Sequence, residues 1–149
     1  MKSIYNKEAE QEILSRFNNL TPQAARQWGK MEVDQMLAHC SATLEVATGQ
    51  KNPPRIFIGK VLAPFFKSTV LGDRPFSKNG PTDKSFIITD RRDFNVEKTR
   101  LTALIKQFAE GGAAKCTTHP HAFLGKITAD EWGTLMYKHL DHHLKQFSA

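Results

Sequence analysis

Apolar residues recur at steps of three and four in four separate stretches of the chain, which is the signature of helices that each bury one face. The first stretch, Ser3 to Leu20, carries Ile13, Leu14, Phe17 and Leu20, with Glu8, Glu10 and Glu12 placed toward the positive N-terminal end. The second, Val33 to Thr48, carries Val33, Met36, Leu37, Cys40, Leu44 and Ala47 and meets a natural stop at Gly49. The third is capped by Asp93 or Asn95 and runs to about Glu110, with Leu101, Leu104, Ile105 and Phe108 as its stripe and Gly111-Gly112 as its end. The fourth is the last: Thr128 caps it, Glu131 completes a capping box three residues on, and Trp132, Leu135, Met136, His139, His143 and Phe147 share one face.

The segments between these stretches are irregular. Thr21-Pro22 opens a short turn or helix that Gly29 stops, and Lys51-Asn52-Pro53-Pro54 is a break. Ile56 to Leu71 is apolar but punctuated by Gly59 and Pro64, which predicts a shorter, broken or kinked helix ended by Gly72. Gly72 to Arg92 reads as a long loop placed to cover the mouth of a bundle, with Phe86-Ile87-Ile88 as a brief extended piece. Cys116 to Ile127 is a second loop leading into the last helix. Four stripes with almost no strand signal predict an all-α four-helix bundle with long connecting loops, a single domain over residues 1–149.

A chain of 149 residues is long enough to bury one sizeable core. No window reaches the ~18 apolar residues of a membrane span, and the N-terminus has no apolar region of a signal peptide, so the expected compartment is the cytoplasm. Two cysteines, Cys40 and Cys116, make no disulfide framework and no CxxC pair, which predicts free thiols. Cys40 adjoins His39 and is either a soft metal ligand or a small buried residue. The net charge of +6 raises nucleic acid as a partner, but the basic residues are spread from Lys2 to Lys145 without a block of five, so a solvated basic surface is the better reading. No Gly-rich phosphate loop is present, which argues against a nucleotide cofactor.

The chemistry concentrates in the histidines, of which there are six. His139 and His143 occupy i and i+4 on the apolar face of the last helix, so their imidazoles stand one above the other where a core stripe would otherwise run. Buried ring nitrogens need partners. Two readings stay open on spacing alone: core histidines bonded to a carbonyl or carboxylate, or ligands of a divalent metal. His39, at the edge of the second helix's stripe with Met36 and Thr43 on its line, is a boundary histidine or a third ligand. His142 lies about 60° or more off the His139–His143 line and is expected to flank the site or face solvent. His119, beside Pro120, is a turn residue bonded to backbone or a group in support of the site, and His121 carries no separate signal.

Two segments, QWGKMEVDQMLAHC and HPHAFLGKITADEWGTLMYKHLDHHLKQF, resemble the DinB/YfiT-like superfamily of metalloenzymes. The resemblance implies a bundle in which one histidine of the second helix and an HxxxH pair of the last hold a divalent metal. Carried over, these are His39, His139 and His143. The Arg-Gly-Gln run that often follows the last histidine is here Leu144-Lys145-Gln146, so only Gln146 matches. Three imidazoles leave positions on a metal open, as catalytic rather than structural sites do. Neutral nitrogen ligands suit Zn, Ni, Fe or Cu and do not by themselves choose among them; the expected cofactor is a divalent metal, Zn or Ni before Fe, Mn or Cu. Met36, Trp132 and His119 are the residues expected to surround the ligands.

The resemblance implies a metal-dependent hydrolase or thiol S-transferase acting on a small molecule, with a low-molecular-weight thiol as one partner. The alternative is a non-catalytic metal-binding or interaction domain. No nucleic acid or membrane partner is expected, and pairing of two copies as a homodimer is the oligomeric expectation.

Overall fold

The α-helices are five: α1 (Lys7–Asn19), α2 (Val33–Ala47), α3 (Phe57–Leu71), α4 (Phe94–Gly111) and α5 (Ala129–Gln146). The computed structural model describes all residues from Met1 to Ala149. Single 3-10 turns at Lys84–Phe86 and Ala113–Lys115 complete the regular structure. There is no strand; the nearest approach is a two-way backbone pairing of His121 with Gly125. None of the helices is long and apolar enough to cross a membrane.

The helix ends follow local chemistry. Asn6 Oδ1 accepts from the Glu8 and Ala9 amides, so α1 begins at Lys7, four residues later than the stripe alone predicts. Asp93 Oδ1 accepts from the Val96 amide and caps α4 in preference to Asn95. Thr128 and Glu131 form both halves of a capping box on α5, an arrangement that satisfies two otherwise unpaired amides.

Packing then assembles the stripes. α2 lies most extensively along α4 and also meets α5, and α1 packs on α4 and α5. The shared core contains Ile13 and Phe17 of α1, Leu37 and Leu44 of α2, Leu101 and Ile105 of α4, and Leu140 and Leu144 of α5, all 0–1% exposed. Each such side chain contributes about 1.5–3 kcal/mol through burial.

Of a shorter, broken or kinked helix ended by Gly72, the end at Gly72 is found and the break is not. α3 runs unbroken for 15 residues with Pro64 inside it. Proline removes the hydrogen bond to the carbonyl four residues back. Pro64 and Lys60 both lie on the exposed side of the helix, where the lost hydrogen bond costs least because solvent is at hand. Gly59 is not punctuation either: a Cβ there would lie 2.6 Å from the Phe123 carbonyl oxygen, so glycine lets α3 lie against the 121–125 backbone. α3 packs chiefly on α5 and leaves Phe57, Ile58, Val61 and Phe65 more than half exposed.

The loops are equally well accounted for. Thr21–Gly29 contains a turn, not a helix, closed by the Ala24 amide on the Thr21 carbonyl. Of the extended piece expected at Phe86-Ile87-Ile88, Phe86 instead ends a 3-10 turn, while Ile87 after it is extended. The 72–92 segment is tied at three points. Lys138 Nζ donates to the Val70 and Gly72 carbonyls, Gln35 Nε2 to those of Thr89 and Asp90, and Asp34 accepts from the Arg92 amide and the Arg91 guanidinium.

Candidate metal centre

α2 and α5 lie side by side, and their facing positions carry imidazoles. His39 and His143 are buried, while His139 keeps part of its surface accessible. One ring nitrogen from each lies within 4.8 Å of the others. The Nε2 atoms of His39 and His139 are 3.0 Å apart. The ring centroids of the three stand 4.6–5.0 Å from one another.

The opposite nitrogen of every ring has an oxygen partner. His39 Nδ1 donates to the Phe86 carbonyl at 2.8 Å, and a carbonyl can only accept. His143 Nδ1 donates to Gln146 Oε1 at 2.8 Å, and the Gln146 amide nitrogen in turn donates to the Trp28 carbonyl. His139 Nδ1 lies 3.4 Å from Thr43 Oγ1, whose own proton goes to the Cys40 carbonyl. With Nδ1 protonated in all three, each Nε2 presents a lone pair. If His139 instead gave an Nε2 proton to His39, its bare Nδ1 would face the lone pairs of the Thr43 oxygen. His39 and His143 thus carry their protons on Nδ1, and with His139 in the same tautomer three Nε2 lone pairs point at one small volume. Second partners that fix the ring tautomer in this way are the usual companions of metal-bound histidine.

The electrostatics agree. Burial pushes His39 below the ordinary histidine range, partly opposed by its bond to Phe86. His143 is pushed down to about 3 by burial and then by His39, against the Gln146 bond. His139 falls well below its ordinary value through burial and the neighbouring imidazoles of His143, His39, His142 and His121. All three are neutral at pH 7, the form that ligates a cation. Zinc–imidazole bonds of about 2.0–2.1 Å space tetrahedral nitrogens about 3.3 Å apart, close to the 3.0 Å between His39 and His139. The donor set fits a divalent metal.

The other sequence-singled residues fall in different places. Cys40 is buried and donates to Met36 Sδ at 3.7 Å, so it is the small core residue and not a ligand. Met36 is in the core beneath it. Trp132 is buried with its ring 5.3 Å from that of His121. His119 is bonded through Nε2 to the Pro53 carbonyl and stands outside the imidazole cluster. His121 organises its loop: its Nδ1 accepts from the Phe123 and Leu124 amides, and burial pushes it down to about 4. His142 does not face open solvent. Its ring lies 5.5 Å from Trp28 and 5.8 Å from Phe76.

Phe86, Trp28 and Phe76 are the contributors that spacing did not reveal. Their only sequence signal is that large apolar residues stand in segments otherwise made of turn formers.

The fold and the site define an all-helical domain in which two helices bring three imidazoles to a common point. The chain belongs to the family described as Protein of unknown function (DUF1569), whose model matches residues 5–149. Neither a curated protein nor a solved structure matches it.

Proposed function

We propose that His39, His139 and His143 hold one divalent metal ion, Zn or Ni before Fe, Mn or Cu, in a four-helix bundle of the DinB/YfiT-like kind. The observation that carries this reading is the convergence of one ring nitrogen from each of three histidines to within 4.8 Å of one another, with every Nδ1 facing an oxygen. When bound, the ion supplies Lewis acidity to a small molecule at positions the protein leaves free.

The activity we assign is S-transfer to a small electrophile, with hydrolysis as the other reaction open to such a centre. What favours a thiol is the lack of a protein base beside the imidazoles. Asp141 is bound to Arg16 and Lys145, and Glu131 to the Thr128 amide and Lys67. No carboxylate belongs to the cluster. A thiol, with a reference pKa of about 8.5, is the nucleophile that least needs such a base. The protein's own groups hold the rings: Phe86, Thr43 and Gln146 set their orientation. Free thiols at Cys40 and Cys116 suit a reducing compartment such as the cytoplasm.

Burial of His39 and His143, with His39 held to the Phe86 carbonyl of the 72–92 segment, supports a second reading, a metal-binding domain without catalysis. Elemental analysis tests the centre itself. The wild type is expected to hold about one metal per chain, and the His139→Ala/His143→Ala variant none. Equal metal content in the two proteins would end the proposal.

A further inference from the structure

Beside the imidazole cluster, on the outer side of α5, lies a cavity of about 440 Å³. That is the size of a small-molecule site. Its wall includes His142, Trp28, Phe76 and Lys78. His142 is the link to the centre described above, since its ring is 5.1 Å from that of His143. The His142 side chain makes no hydrogen bond to the protein, whereas the other five histidines all do. It therefore offers one donor and one acceptor to whatever fills the space.

The walls on either side are aromatic. Trp28 comes from the irregular segment before α2, and Phe76 from the 72–92 segment; both rings flank the imidazole. Aromatic side chains beside a polar ring favour an aromatic guest. The wall holds two carboxylates, Asp73 and Asp141, against four lysines, and the charge follows from which of these groups are already paired. Lys2 is paired with Glu12 and Lys145 with Asp141. Lys138 gives its protons to the carbonyls at the end of α3 and lies near Asp73. Lys78 forms no ion pair and no hydrogen bond; its ammonium rests 4.7 Å from the centre of the Trp28 ring. Lys78 is thus the one wall lysine with neither an ion pair nor a hydrogen bond, and it lies over Trp28, whose ring, like that of Phe76, neighbours an imidazole that makes no hydrogen bond to the protein.

We infer that this cavity binds a planar organic anion, an aromatic or heteroaromatic carboxylate, with its ring on the side of the cavity lined by Trp28 and Phe76, its polar edge on His142 and its anionic group on Lys78. As the substrate pocket of the neighbouring centre it rests on the function proposed above; as a binding site it does not.

The test is calorimetric titration of 2-naphthoate and its neutral counterpart 2-naphthamide into the metal-loaded full-length protein. Naphthoate is expected to bind more tightly than the amide. Lys78→Gln should weaken naphthoate about tenfold, the effect of one charge-assisted contact, and leave the amide unchanged. His142→Ala should weaken both while metal content stays at the wild-type level. The same titration on the His139→Ala/His143→Ala variant separates the two readings, because binding there should persist without metal. Saturation by neither probe, or equal naphthoate affinity in wild type and Lys78→Gln, would overturn the inference. So would loss of naphthoate binding in the double variant alone, which would make the metal and not Lys78 the partner of the anion.

Discussion

His39 Nε2 and His139 Nε2 face each other at 3.0 Å across the α2–α5 contact, each with its other nitrogen directed at an oxygen. Two lone pairs at that distance repel, and a cation between them turns the repulsion into binding. Buried acceptors left without a partner cost on the order of 1–3 kcal/mol each. The arrangement is therefore expected to be more stable loaded than empty. Adding zinc to chelator-treated protein should raise Tm, by an amount that grows with free metal as linkage requires. The His139→Ala/His143→Ala variant should show no such rise, and an equal shift in both would contradict the assignment.

Single substitutions should rank in a definite order. His39→Ala is expected to weaken metal binding strongly, and His142→Ala to leave it intact, because His142 belongs to the cavity side and not to the converging set. Competition with a chromophoric chelator measures this. The apo variants should retain helical circular dichroism, since Leu37, Leu44, Leu140 and Leu144 supply the α2–α5 core without the ion.

Gln146 is the sole protein partner of His143 Nδ1. Gln146→Leu is nearly isosteric but cannot accept that proton. Loss of such supporting bonds typically costs about 10–100-fold in metal affinity. The same measurement on Gln146→Leu should show a loss in that range with the fold unchanged; wild-type affinity would mean the bond does not orient the ring.

If the centre has an accessible position, small ligands must perturb it. Cobalt-loaded protein titrated with a low-molecular-weight thiol should develop a sulfur-to-metal charge-transfer band, missing in His139→Ala/His143→Ala. A spectrum indifferent to thiols and other small ligands would favour the non-catalytic reading.

Asp34 sets a pH dependence away from the imidazoles. Burial alone would push its carboxyl up, but the Arg92 amide and the Arg91 guanidinium outweigh it and hold the pKa below the usual carboxylate range. A depressed carboxylate contributes stability above its unfolded pKa of about 3.9, and that stability disappears as pH falls through the folded value. Wild-type stability should therefore drop below about pH 4. Asp34→Ala should be about 1–3 kcal/mol less stable at pH 7 and lose less on acidification. Denaturant melts at pH 7 and pH 3 test both.

Hydrophobicity without burial should count for little. Phe57 and Phe65 are 79% and 75% exposed, so changing either to Ser should alter stability by only about 0.5 kcal/mol. Phe17 is 1% exposed, and Phe17→Ala should cost about 3–5 kcal/mol. Urea midpoints for the three variants distinguish these cases.

The chain alone determined what depends on near neighbours in sequence. The α5 capping box needs only Thr128 and Glu131, and the stacking of His139 over His143 needs only the 3.6-residue turn. The α2 and α4 stripes and their glycine ends were legible for the same reason. The DinB/YfiT-like resemblance singled out His39 as the third member, a choice that helix phase left open.

Tertiary packing decided the rest, because the partners are far apart along the chain. Whether His39 meets His139, 100 residues on, depends on how α2 and α5 dock. The oxygens that orient the rings come from α2, α5 and a turn in the long loop, and no periodicity announces a carbonyl such as that of Phe86. The continuity of α3 through Pro64 depends on which side of the helix meets water. His142 was placed off the ligand line correctly, but Trp28 and Phe76, each about 65 residues or more away in sequence from it, cover the face it turns outward. Local rules orient a side chain on its own helix; only the assembled fold says what it meets there.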